Sequence, residues 1–180
     1  MKAVDADIET KLSIVSRGEW KAKEPRAKSR LPHPVELVLV RDEFIAPCNA
    51  PDECIQSVRK VQEAHLRNPY GLDIDANFLI AGDGRVYEGR GWDVVVDEVH
   101  RGLVVSFVGR YDVILPSQSQ IDAFNLLIRE GIKRGEISPY YKLLAFGQLH
   151  LKGYPGKRLF EFIKSWDHWA DETTQQLPFK

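Results

Sequence analysis

An α/β fold with a central mixed β-sheet flanked by helices is what this 180-residue chain predicts, from three observations. Val35 to Val40 (VELVLV) is a nearly continuous apolar run, the pattern of a strand buried on both faces. Two longer stretches repeat their apolar residues at helical spacing. Asn77 to Asp93 reads NFLIAGDGRVYEGRGWD, where Asp83-Gly84 separates two β-prone runs, the short-range signal of a hairpin.

The elements follow in order. After the first strand, Ile55, Val58, Val61, Ala64 and Leu66 form a helical stripe that starts near Asp52 and stops at Asn68-Pro69. Phe78 to Gly82 then enters the hairpin, whose Asp-Gly pair predicts a type I′ turn with positive φ at both central residues before Val86 and Tyr87. Leu103 to Val108 and Lys142 to Leu149 read as two further core strands, and Tyr111 to Pro116 as a short segment or loop. Ile121, Phe124, Leu127, Ile128 and Ile132 predict an amphipathic helix entered through Pro116-Ser117 and ended near Gly135. A last helix begins after Pro155-Gly156 and carries Leu159, Phe160, Phe162, Ile163 and Trp166.

With 43% hydrophobic residues the chain is long enough for one substantial core. We expect a single domain over residues 14–170, a polar leader over 1–13 and a C-terminal tail over 171–180. A net charge of −1, from 25 basic and 26 acidic residues, gives no global electrostatic reason to expect nucleic acid or an anionic membrane as partner. No apolar run approaches the ~20 residues that cross a bilayer, and MKAVDADIETK has no hydrophobic segment of signal-peptide type. Cys48 and Cys54 flank a short segment containing Pro51, and that spacing fits a bridge or two buried free thiols equally well.

Tyr87-Glu88-Gly89-Arg90-Gly91-Trp92 resembles the YEGRGW signature of the peptidoglycan recognition proteins, which are related to the type 2, zinc-dependent N-acetylmuramoyl-L-alanine amidases. Ser16-Arg17-Gly18-Glu19-Trp20, Leu31 to Val40, Val61-Gln62 with His65, Asp73-Ile74, Asn77-Phe78-Leu79, Ser106-Phe107-Val108-Gly109, Pro155-Gly156 and Trp166-Asp167-His168-Trp169 follow in the order of that family. The resemblance spans roughly residues 14–169. It implies that family's sheet-and-helix fold and a disulfide between Cys48 and Cys54, and a persistent disulfide points to an extracellular compartment.

In the active amidases two histidines and a cysteine hold zinc and leave a position for the attacking water. The resemblance puts Asp42, Gln148 and Tyr154 at those three places. A neutral amide and a phenol of pKa about 10 are poor partners for this cation. His150, two residues beyond Gln148, would share its strand face, but the segment from Gly147 to Pro155 is too short to bring it to a ligand position. Ala76 stands where the family's assisting tyrosine is expected and has no group to donate. No metal, cofactor or catalytic residue is therefore expected.

Non-catalytic relatives still bind muropeptides, and His65 and Ala76 are the candidate remnants of that groove. The connection from Asp93 to Gly102 is shorter than usual and lacks the Gly-Ala-His step, so His100 reads as a solvent-facing loop histidine. Asp42, Glu43, Asp97 and Glu98 would gather at the groove mouth and repel a carboxylate-bearing stem, with Arg41 and Arg101 offsetting them in part. The reading that follows is a non-catalytic domain, extracellular, either secreted or a receptor ectodomain. It would work through protein partners, related immune receptors among them, in innate immune signalling or its regulation. Peptidoglycan binding would be weak or absent, and membrane attachment would come only through segments not in this chain. The alternative is a pattern-recognition module that binds peptidoglycan fragments through an altered groove.

Overall fold

The computed structural model describes residues 11–97, 101–150 and 152–171. Glu98, His100 and most of the expected leader and tail lie outside the described residues. The VELVLV run becomes strand β2 (Val35–Asp42), paired in parallel with β5 (Leu103–Phe107) on one side and β6 (Ile137–Ala145) on the other. Its side chains alternate between two cores, Val35, Val38 and Val40 on one face and Leu39 on the other, which is why the run is apolar apart from the exposed Glu36.

The sheet is completed by β1 (Ile14–Val15), β3 (Phe78–Ile80) and β4 (Val86–Glu88), in the order β1-β4-β3-β5-β2-β6. Only β3 and β4 run antiparallel, so the sheet is mixed, as the sequence predicts. Helix α1 (Pro51–Arg67) covers one face, burying Cys54, Val58 and Val61 against Trp20, Leu39 and Leu79. Pro51 opens it without loss, since the first helical N–H has no partner to give up. Helix α2 (Gln118–Arg134) covers the other face with Phe124, Leu127 and Ile128, beside α4 (Lys157–Ile163), which contributes Leu159 and Ile163. Ser117 caps α2 through the Gln120 amide, and Gly135 ends it at φ 77°, a left-handed conformation suited to glycine.

Several expected boundaries are corrected. The late strand starts at Ile137, earlier than the apolar pattern indicated, and ends at Ala145; Gly147–His150 is a short helix, α3. Phe146 N still donates to Val40 O at 2.9 Å, and on the edge side of β6 Gln148 Oε1 accepts from Ala145 N at 2.7 Å. The hairpin is not type I′. Only Gly84 has positive φ (76°), Gly84 N bonds Ala81 O at 3.0 Å, and residues 81–85 connect the strands. Asp83 instead spends its carboxylate locally, accepting from Arg85 N, Arg85 Nε and the Tyr87 hydroxyl. The last helix stops at Ile163, and Trp166 lies beyond it, packed on Phe124 with ring centroids 4.7 Å apart. Tyr111 to Pro116 is a loop.

Asn77 joins the hairpin to the sheet interior. Fully buried, it donates through Nδ2 to Gly91 O and Val94 O, each at 2.8 Å, and accepts from Val104 N at 2.8 Å. The glycine-rich tail of the signature is thereby fastened to β5. Cys48 and Cys54 form a disulfide that ties the segment before α1 to its first turn.

Replacing Asn77 by Ala strands three buried backbone groups and should cost about 3 kcal/mol, lowering the thermal midpoint by roughly 6–12 °C in calorimetry. Opening the bridge with Cys48→Ser and Cys54→Ser together should cost about 2 kcal/mol in chain entropy, read as a smaller midpoint shift of roughly 4–8 °C.

Candidate functional site

Ligands of open α/β sheets collect where parallel strands end, and here β2, β5 and β6 end side by side. Arg41 pairs with Ser106 across β2 and β5, and Phe146 follows Ala145, the partner of Val40. Two residues after Leu39, Arg41 faces the α1 side. Its guanidinium lies 5.3 Å from the centre of the Phe146 ring, a cation–π contact. Arg41 Nη2 is 3.8 Å from Glu43 Oε2, and the same oxygen is 3.4 Å from Nε2 of His65 on α1. His150 also stacks on Phe146, with ring centroids 4.2 Å apart, and its Nε2 meets Asp97 Oδ2 at 2.8 Å. The result is one continuous row, His65, Glu43, Arg41, Phe146, His150 and Asp97, along the end of the sheet.

His65 is held in one tautomer. Its Nδ1 accepts from Asp75 N at 3.0 Å, so the ring proton sits on Nε2 and points at Glu43. Burial alone would raise the Glu43 pKa, but the His65 N–H bond and the Arg41 charge outweigh it and hold the carboxyl below its usual value. Arg41 Nε, Glu43 Oε1 and Ser106 Oγ are buried there without a hydrogen-bond partner.

The positions singled out from the sequence are not brought together. Asp42 points to the opposite face of β2, where Oδ2 accepts from Tyr111 N and Gly156 N, each at 3.2 Å, and burial pushes its pKa up despite those bonds. Gln148 has its amide engaged at both ends, by Ala145 N and by Ala170 O at 3.0 Å. It lies on α3 with His150, so the two do not share a strand face. Tyr154 is half-exposed and packs edge-on against Phe160, its ring also filling the space beside Gly147. Ala76 is buried in the core under α1. His65 does stand in the row. Of the carboxylates expected to gather at a groove mouth, Asp42 and Asp97 are each 7% exposed, Glu43 faces His65 and Arg41, and Asp97 faces His150.

Sequence reasoning missed Arg41 and Phe146 as site residues. The signal was available: alternation along VLVRD puts Arg41, not Asp42, on the face of Leu39. At the other end of the sheet His33 sits between two carboxylates, with Nε2 3.3 Å from Asp93 Oδ1 and Nδ1 3.2 Å from Glu136 Oε2. Each carboxylate takes a different ring nitrogen, and the three residues bring one donor atom each within 4.8 Å of the others.

The N-acetylmuramoyl-L-alanine amidase family matches over residues 41–173. A peptidoglycan recognition protein of Trichoplusia ni is 34% identical over 162 residues, which is 88% of this chain and 89% of that protein. Peptidoglycan recognition protein 1 of Mus musculus is 34% identical over 165 residues, 88% of this chain and 90% of its own. Among solved structures, Drosophila peptidoglycan recognition protein SD superposes with a TM-score of 0.86 at 27% identity, covering 91% of this chain and 99% of that one. The ectodomain complex of PGRP-LCa and PGRP-LCx bound to tracheal cytotoxin includes a chain with a TM-score of 0.84 at 32% identity, covering 89% of this chain and 100% of that one.

Two adjacent carboxylates make opposite contributions to pH dependence. Glu43 has a lowered pKa, so its stabilisation is present above the unfolded value of about 4.3 and lost as pH falls through the folded value. Asp42 has a raised pKa, so its contribution is fullest below the unfolded value of about 3.9 and lost as pH rises through the folded value. Denaturant unfolding across the acid range should show Glu43→Gln flattening the rise of stability with pH and Asp42→Asn steepening it.

Proposed function

This chain belongs to the peptidoglycan recognition protein family, built on the N-acetylmuramoyl-L-alanine amidase fold, and from that premise we propose that it is a non-catalytic member acting through protein contacts in innate immune signalling or its regulation. The observation that carries the reading is the row at the end of the sheet. Where a metalloamidase needs three donors around one ion and an open position, this chain has a guanidinium lying on a phenyl ring.

The donor set does not fit zinc. Asp42 Oδ2 is committed to two backbone amides on the other face of β2, and the Gln148 amide is committed to the ends of two strand segments. Tyr154 offers a phenol whose ring is wedged against Gly147. Ala76 supplies no donor for a developing oxyanion. No reaction step is derived through a metal at these residues.

The same row argues against a tight muropeptide groove. Arg41 and Glu43 already face one another, as do His150 and Asp97, so a charged stem peptide would have to displace existing contacts to gain its own. One related structure is the ectodomain of a Drosophila transmembrane receptor, and another joins two such ectodomains around tracheal cytotoxin. Carried to this chain, those relatives support a partner-binding domain over residues 14–170. The Cys48–Cys54 disulfide supports an extracellular setting, and no described helix is long and apolar enough to cross a membrane. The second reading, recognition of peptidoglycan fragments through an altered groove, draws on His65 and on the unpartnered Arg41 Nε.

Calorimetric titration with lysine-type and diaminopimelate-type muropeptides separates the two readings: we expect affinities of about 1 mM or weaker for both, and micromolar binding of either would establish the second reading instead. After dialysis, zinc should be well below one equivalent and incubation with peptidoglycan should release no cleavage product.

A further inference from the structure

Phe44 follows the end of β2 with φ 55°, a left-handed conformation that costs a bulky residue energy, and its side chain is 53% exposed. Arg110 lies 4.6 Å over that ring and is itself held by Asp112 at 2.8 Å. Directly after Asp112 come Val113, Ile114 and Leu115, which are 81%, 49% and 39% exposed. Single exposed apolar residues need no explanation. Three in succession, in the same loop as an arginine that covers an exposed aromatic ring, are a different case.

The loop that presents them is fixed at its root. Tyr111 N donates to buried Asp42, and Tyr111 O accepts from Arg158 N at 2.9 Å at the start of α4. The Tyr111 hydroxyl bonds Val108 O and the Gln120 amide. It also fills the space where a Cβ on Gly109 would sit. Gly156 packs against the Tyr111 carbonyl and donates to the same Asp42 oxygen. Such a tip loses little conformational entropy on being covered.

Its surroundings are cationic. Arg110 is on the patch, and Lys157 and Arg158 flank its root, both exposed and without an ion pair among the described residues. Asp112 is spent on Arg110, which leaves Lys157 and Arg158 as the free positive charges, and Asp42 at the root is buried. We propose that Phe44, Val113, Ile114 and Leu115, fringed by Arg110, Lys157 and Arg158, are the docking surface for a partner protein that presents apolar side chains ringed by aspartate and glutamate. The proposal rests on the protein-contact reading and gives it a location. Phe and Arg at the centre match the composition of interface hot spots, and the cationic fringe selects the sign of the partner's charge.

The probe is a phage-displayed library of random linear peptides selected against the whole chain. Selected peptides are then synthesised and titrated by fluorescence anisotropy. Enriched sequences should carry large apolar residues beside Asp or Glu. Their affinity should weaken as salt rises, and should fall by about tenfold or more in Val113→Ser/Ile114→Ser and, separately, in Arg110→Glu/Lys157→Glu/Arg158→Glu. The altered residues are exposed, so an unchanged thermal midpoint confirms folding, and the two variants fail independently. Failure to enrich any peptide overturns the proposal. Peptides indifferent to both variants overturn it while leaving protein contact elsewhere intact. Phosphatidylserine vesicles bound by the wild type and released by both variants would replace the protein partner with a membrane surface. Micromolar muropeptide binding, by contrast, would remove the parent reading without moving any selected peptide.

Discussion

Everything at the functional end of this molecule depends on the period-two alternation of β2 between β5 and β6. Five consecutive pairings with β5, Val38 with Leu103 through Asp42 with Phe107, leave the strand no freedom of register. Each residue beyond Val40 is therefore assigned to a face before its chemistry matters. Arg41 goes to the α1 side and joins Glu43, His65 and Phe146, whereas Asp42 goes to the α2 and α4 side and ties down two loops. A slip of one residue would exchange these roles and bury a guanidinium among the aromatic rings of Phe107, Phe124 and Trp166.

The two carboxylates show how environment decides the work of a residue. Both are adjacent in sequence and buried, yet one has its pKa raised and the other lowered. Asp42 is satisfied only by backbone N–H groups, which do not fully compensate burial. Glu43 has a guanidinium and an imidazole N–H within reach, and these favour its charged form.

The fold was largely legible because its carriers are continuous: the apolar run of β2, the stripes of α1 and α2 and the hairpin around Gly84 each announce themselves locally. What was not legible depended on tertiary competition. β1 is two residues long and exists only because it lies beside β4, and β6 begins at Ile137 because Val35 offers it a partner, before a register shift that leaves Ser138 to Tyr141 unpaired with β2. Gln148 takes the Ala145 donor on the edge side of that strand, an event no periodicity records. At the site, the family resemblance supplied positions but not directions. His65 was named through the resemblance alone, whereas the alternation that puts Arg41, and not Asp42, on the face of Leu39 was legible in the sequence but not followed.

The pairing of Arg41 with Glu43 also limits how this end of the sheet can change. Replacing Arg41 alone would leave the buried Glu43 carboxylate facing only the neutral tautomer of His65. Replacing Glu43 alone would leave a guanidinium on a phenyl ring with no counter-charge. Each single step passes through a less stable protein, so selection against unfolding holds the two residues together, and change here has to come in pairs.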